Sequence, residues 1–327
     1  MKTLIPLIFA SAFFAFSELF AEAFPAWKFL DFDQPKIAVS FEYSSSNTSF
    51  SKGKPVNEKG FKYRPDAVSE FSCSESGVMA LHVRRTVPEG VKDERAREFV
   101  YLLNDNKLAL KRKGESKLYV DKSAGKMEEP PFWKYLTHIP IHENHQLWPR
   151  IADFLRNPDL FDSVEVSEMD NNRQSIVFRG KKGKNEHGEF ADVVSVSLEK
   201  FENNLYPVSI SHSETYFSED GAPHQGPDII SIEYGGYVKL DKAGLYVPRE
   251  IESKKYDVTV TGSYGFDQEL KYAEKVKVEN ISESNELIER KTVLKIDGET
   301  TIYDSSSNQK FVIDSLLNKV GKDMEDK

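Results

Sequence analysis

A chain of 327 residues, 39% apolar, 30% charged and 12% aromatic, has length and core material for one large domain or two ordinary ones. It carries too many charges for a polytopic membrane protein, and its aromatic content argues against disorder. A net charge of −9 and a pI near 5.5 argue against nucleic acid as a partner, because that binding needs a basic surface to displace counterions. A lone cysteine, Cys73, excludes an internal disulfide, so a real core must hold the fold. It reads as a small buried or half-buried apolar group; a nucleophile would need a histidine held nearby, and none is local.

Lys2 gives the N-terminus a positive start, Leu4 to Phe16 form an uncharged apolar run, and Ala21-Glu22-Ala23 supplies a small-x-small cleavage pattern. The run is too short for a spanning helix, which needs about 20 apolar residues. Residues 1–23 are expected to be an export signal removed near Ala23, leaving the mature chain periplasmic or secreted.

Past the signal, strand signals dominate. Ile37 to Tyr43, Val78 to Val87, Glu98 to Leu103 and Lys107 to Lys113 are strand candidates, and Asn104-Asp105-Asn106 makes a tight turn between the last two. Phe99 to Leu103 is apolar on both parities, as in a strand covered on both faces. The Ser-, Lys- and Gly-rich stretch from Ser44 to Gly60 reads as a surface loop. Further on, Val194, Val196 and Leu198 alternate with polar residues, as do Val208 to Tyr216, Ile230 to Leu240 and Leu270 to Val278. Such long alternating strands predict a mostly-β protein: a single strongly curved antiparallel sheet, an incomplete barrel.

The stretch from Glu128 to Asp162 breaks this pattern. It holds several prolines, then a helical period in which Leu147, Ile151, Phe154 and Leu155 share a stripe flanked by Trp148. Asn157-Pro158 stops it. An amphipathic helix from about Gln146 to Arg156 is expected to pack in the sheet's concavity, since these side chains and Trp133 offer more apolar surface than an exposed short helix needs. Trp133, Leu147, Trp148, Ile151, Phe154 and Leu155 are therefore the candidate ligand-binding residues. Residues 24–290 would form the sheet domain, and 291–327 an added strand and short helix.

Catalytic signatures fail in turn. His138, His142 and His145 cluster beside Glu143, but Pro140 and the uneven spacing prevent the helical alignment of a zinc-protease site, so no bound metal is expected. His212 and Glu214 share the parity of Val208 and Ile210, and read as a hydrogen-bonded pair at a cavity mouth in preference to a catalytic dyad. Gly262-Ser263-Tyr264-Gly265 lacks nucleophile-elbow spacing, and Gly180 to Gly188 lacks the ending of a phosphate loop. Neither enzyme activity nor a cofactor is expected.

Two passages, Val194-Ser-Val-Ser-Leu-Glu-Lys-Phe-Glu-Asn-Asn-Leu-Tyr-Pro-Val208 and Tyr234-Gly-Gly-Tyr-Val-Lys-Leu-Asp-Lys-Ala-Gly-Leu-Tyr-Val-Pro248, each close on a Leu-Tyr segment with a proline that follows a turn and opens a long strand. With the export signal and the single helical interruption, they resemble the periplasmic lipoprotein-carrier superfamily (the LolA/LolB-like fold) over about residues 30–290. That resemblance implies a bent sheet wrapped over helices around an apolar cavity for acyl chains, with Arg64, Arg84 and Arg85 as candidates for the family's cavity-mouth arginine. The Pro-rich insertion and residues 291–327 depart from the simplest members. The expected function is an exported binding protein or carrier for an apolar or lipid-bearing ligand, with a lipoprotein among the candidate partners and transient envelope contacts. The alternative is an envelope structural or interaction protein with a filled core.

Overall fold

The computed structural model describes residues 38–56, 66–74, 78–86, 98–104, 107–112, 115–121, 135–136, 139–140, 151, 154, 161–168, 170–242, 244–284, 300–304 and 309–312. The strands, in chain order, are β1 Val39–Ser51, β2 Lys54–Val56, β3 Ala67–Cys73, β4 Met79–Arg85, β5 Glu98–Asn104, β6 Lys107–Arg112 and β7 Lys117–Asp121, then β8 Phe161–Val166, β9 Arg173–Gly180, β10 Gly183–Asn185, β11 Gly188–Phe201, β12 Asn204–Phe217 and β13 Pro223–Gly235. They continue as β14 Val238–Leu240, β15 Leu245–Val247, β16 Glu250–Thr261, β17 Gly265–Ser282, β18 Thr301–Asp304 and β19 Gln309–Val312. All but the β14–β15 ribbon belong to one large sheet, mixed because β7 and β18 run parallel and otherwise antiparallel in its described ladders. The chain divides into two compact units.

The flanking unit draws on Asp31–Tyr135, Gly236–Glu252 and Lys271–Lys327. Its ladders run β17–β1–β3–β4–β5–β6–β7–β18–β19. One face of β1 presents Val39, Phe41 and Tyr43 to Cys73, Phe71 and Ser69 of β3, and Phe41 stacks on Phe71 with centroids 6.4 Å apart. The expected loop from Ser44 is corrected, because β1 continues to Ser51 and turns at Lys52-Gly53, both at positive φ, into β2. Polar residues can sit on that core face because they are partnered there. Asn47 is buried, its amide donates to Asp66 Oδ1 at 3.0 Å, and its side-chain oxygen accepts from the Tyr272 hydroxyl. Buried Glu274, opposite Asn47, accepts from the Tyr135 hydroxyl. Cys73 is fully buried, as expected, and burial pushes its thiol up to about 12. The β5–β6 hairpin pairs Asn104 with Lys107; Asp105 and Asn106 of the expected turn lie outside the described residues.

The mid-chain unit draws on Leu136–Gly235 and Ser253–Leu270. Its ladders run β8–β9–β11–β12–β13, with β10 hairpinned onto β11. One face collects Ile176, Phe178, Val194, Val196, Ile210, Ile230 and Ile232, all buried. The Phe154 ring meets Phe161 and Phe178 edge-on at 4.5 and 5.2 Å.

Three expectations are corrected or left partial. In place of an incomplete barrel, the ladders within each unit run from edge to edge with no pairing among the described residues that closes a ring, and the sheet is not closed or strongly curled. Of the helix expected from Gln146 to Arg156, Ile151 and Phe154 are described; both have α-helical backbone and are buried, and no delimited α-helix occurs among the described residues. Leu245 opens a three-residue strand paired with β14 instead of a long one, because Pro248 interrupts it before β16. Residues 1–23 and the C-terminal helix expected after Val312 lie outside the described residues.

Replacing Phe178, which touches both Phe154 and Phe161, by Ala is expected to cost about 3–5 kcal/mol through transfer and cavity terms. Trimming exposed Val166 to Ala is expected to change little. Urea titration of both variants measures the contrast.

Candidate functional site

The apolar face of the mid-chain unit ends in a polar cluster built by three neighbouring strands. On β12, His212, Glu214 and Tyr216 follow one another at the two-residue period of a strand face. On β11, Asp192 stands opposite Glu214, diagonal to His212, which faces Val194. On β13, Asp228 stands opposite Ser213, one step from the His212–Ile230 pair.

His212 has no exposed surface, and its Nε2 lies 2.7 Å from Asp192 Oδ1. Its other ring nitrogen, Nδ1, is buried and has no hydrogen-bond partner among the described residues. The pair expected from sequence is therefore corrected in its partner: Asp192, not Glu214, holds the imidazole. Glu214 instead accepts a 2.6 Å bond from the Tyr216 hydroxyl, which also accepts from Asn185 Nδ2 at 3.2 Å. Burial first, and the Glu214 carboxylate second, push the Tyr216 phenol up to about 12. Asp228 is held above the usual carboxylate range by burial, partly offset by the Ser211 hydroxyl and the neighbouring His212 ring.

Aromatic rings close the end of this cluster. Tyr216 stacks on Tyr264 at 5.7 Å and meets Phe266 and Phe190 at 5.9 and 6.0 Å. The Tyr264 hydroxyl donates to the His187 carbonyl at 3.2 Å, and it requires the glycine beside it. Gly188 has φ +134°, and a Cβ there would lie 2.7 Å from that hydroxyl. Gly226 likewise lets the Glu214 carbonyl approach to where a Cβ would stand 2.9 Å away.

An aspartate-oriented imidazole is the pairing that general-base catalysis uses, but a ring without exposed surface offers Nδ1 to no substrate in this arrangement. No group of three or more His, Cys, Asp or Glu among the described residues could hold a metal ion. The cluster's chemistry is that of a buried polar rim on an apolar face.

No protein-family profile matches this chain, and no curated protein is similar to it in sequence. The resemblance to lipoprotein carriers thus rests on the sequence features quoted for it alone.

Of the candidate ligand-binding residues, Ile151 and Phe154 both belong to the mid-chain unit and are buried. Trp133, Leu147, Trp148 and Leu155 lie outside the described residues, as do His138, His142, His145 and Arg64. Arg84, an exposed residue of β4, pairs in register with Glu98, and the Arg85 guanidinium lies 4.8 Å over the Phe99 ring. Asp192 and Asp228 were missed because nothing in their own stretches marks them. A count from the β11–β12 turn sets Asp192 opposite Ser213, one residue short of its observed partner Glu214, because of the bulge between Ser197 and Leu198.

The raised Asp228 carboxyl gives a pH prediction. A carboxyl whose folded pKa lies above its unfolded value of about 3.9 contributes stability below the unfolded value, and that contribution is lost as pH rises through the folded one. Asp228→Asn should therefore raise the melting temperature at pH 7, with the gain shrinking to nothing as pH falls towards 4. Thermal unfolding of both proteins across this range checks the sign.

Proposed function

We propose that this protein is an exported, non-enzymatic binding protein or carrier for an apolar or lipid-bearing ligand. The observation that carries the reading is the packing of Phe154 on the apolar face of the mid-chain unit, through Phe178. Phe154, singled out from a helical stripe, packs on Phe161 and Phe178 at the edge of a face that continues across β9, β11, β12 and β13. An apolar face of that extent with a few polar groups at one end is the composition that ligand sites favour. The reading takes Trp133, Leu147, Trp148 and Leu155 as further lining residues. It takes residues 1–23 as the export signal and the periplasm or the exterior as the location. Resemblance to the lipoprotein carriers supplies the idea of a lipid cargo.

A second reading, an envelope interaction protein with a filled core, is favoured by one specific observation. Phe154, Phe161 and Phe178 are all buried and mutually packed, so side chains fill the space at that point.

Titrating the purified full chain with the neutral probe N-phenyl-1-naphthylamine separates the two. The carrier reading expects a saturable rise in fluorescence, weakened in Phe154→Leu while far-ultraviolet circular dichroism stays unchanged. Absence of uptake by the folded wild-type chain would discard it in favour of the filled core.

A further inference from the structure

In the flanking unit, four strands bring one row of residues side by side on a single face. Tyr101 of β5 stands opposite Leu110 of β6, Leu110 opposite Tyr119 of β7, and Tyr119 opposite Tyr303 of β18. A second row on the same face, two residues along each strand, holds Phe99 opposite Arg112 and Lys117 opposite Thr301. Arg112 and Lys117 stand one residue beyond the Lys111–Leu118 pair, so the antiparallel register makes them neighbours across the ladder.

Two cations so placed are an expense to the sheet, since like charges side by side across a ladder destabilise it. Glu115 forms an ion pair with Arg112 at 3.9 Å. The tyrosine row also holds both cations. The Arg112 guanidinium lies 5.7 Å over the Tyr119 ring, and the Lys117 ammonium 5.6 Å over the Tyr303 ring. Those two rings stack on each other at 5.6 Å with their planes 22° apart. Cation–π contacts of this kind hold the charges in place without neutralising them. Both remain exposed, the Arg112 side chain at 45%. A chain with net charge −9 thus keeps a fixed, exposed cation pair next to tyrosine hydroxyls, with Leu110, Tyr101 and buried Phe99 adjoining.

We propose that this row binds a single-chain anionic amphiphile. The head group pairs with Arg112 and Lys117 beside the Tyr119 and Tyr303 hydroxyls, and the chain lies along Leu110 and Tyr101. A guanidinium held over a ring is suited to a carboxylate or phosphate, because its fork needs less further ordering. The acidic balance of the whole protein disfavours a long polyanion and leaves one compact negative charge as the fitting partner. The apolar neighbours distinguish an amphiphile from a bare ion. The inference concerns the flanking unit alone and stands apart from the reading of the mid-chain face.

Calorimetric titration of the full chain with monomeric laurate, and separately with dodecanol, tests it. Laurate is expected to bind saturably and dodecanol about tenfold or more weakly, and the doubly substituted Arg112→Gln, Lys117→Gln chain should lose that difference. Lys117→Gln alone, at an exposed position, serves if the double variant does not fold, with a smaller loss in the same direction. Equal binding of laurate and dodecanol, or undiminished laurate binding by the folded variants, would overturn the proposal. So would displacement of laurate by inorganic phosphate at equal concentration, which would reduce the row to a general anion patch.

Discussion

The mid-chain unit depends on the register between β11 and β12. Their hairpin closes at the Phe201–Asn204 pair, and from there to Leu198–Pro207 the partners keep one offset. Between Ser197 and Leu198 a bulge inserts one residue, and every pair beyond is displaced by one. Because side chains alternate, that displacement decides which set shares a face. With it, Val196 faces Ile210 and Val194 faces His212. Without it, Val194 would face Ser211, and the apolar stripe would be split between the two sides. Pro207 sits at the bulge, one of the few places where a strand tolerates a missing N–H.

The bulge also creates the polar cluster. It moves Asp192 opposite Glu214 and into reach of His212, whose ring is otherwise surrounded by Val194, Ile210 and Ile230. A buried imidazole without its carboxylate would carry the desolvation cost of both ring nitrogens, so the Asp192 contact fixes this register as well as following from it. Glu214, released from His212, holds Tyr216, and Tyr216 in turn anchors the rings of Tyr264 and Phe266.

Strand content was legible in the sequence wherever one face was apolar, as in β11, β12, β13 and β17. It was illegible in β1 beyond Ser44, where the core face carries Ser45 and Asn47. Asn47 is satisfied by Asp66 and Tyr272, distant in the chain, and no local pattern announces such partners. Phe154 and Ile151 were legible because a helical stripe is a local signal. The partner of His212 was not, because a bulge changes the pairing count without changing the alternation that betrays a strand. The tyrosine and cation row in the flanking unit was hidden for a related reason. It assembles Tyr101, Leu110, Tyr119 and Tyr303 from separate strands, one of them joined in parallel from the far end of the chain.

Interstrand nuclear Overhauser contacts between the backbones of β11 and β12, in the isotope-labelled full chain, test this account most directly. The bulged register predicts contacts of Val194 with His212 and of Asp192 with Glu214. Contacts of Val194 with Ser211 and of Asp192 with Ser213 would show an unbulged hairpin, and would contradict both the apolar face and the polar cluster at its end.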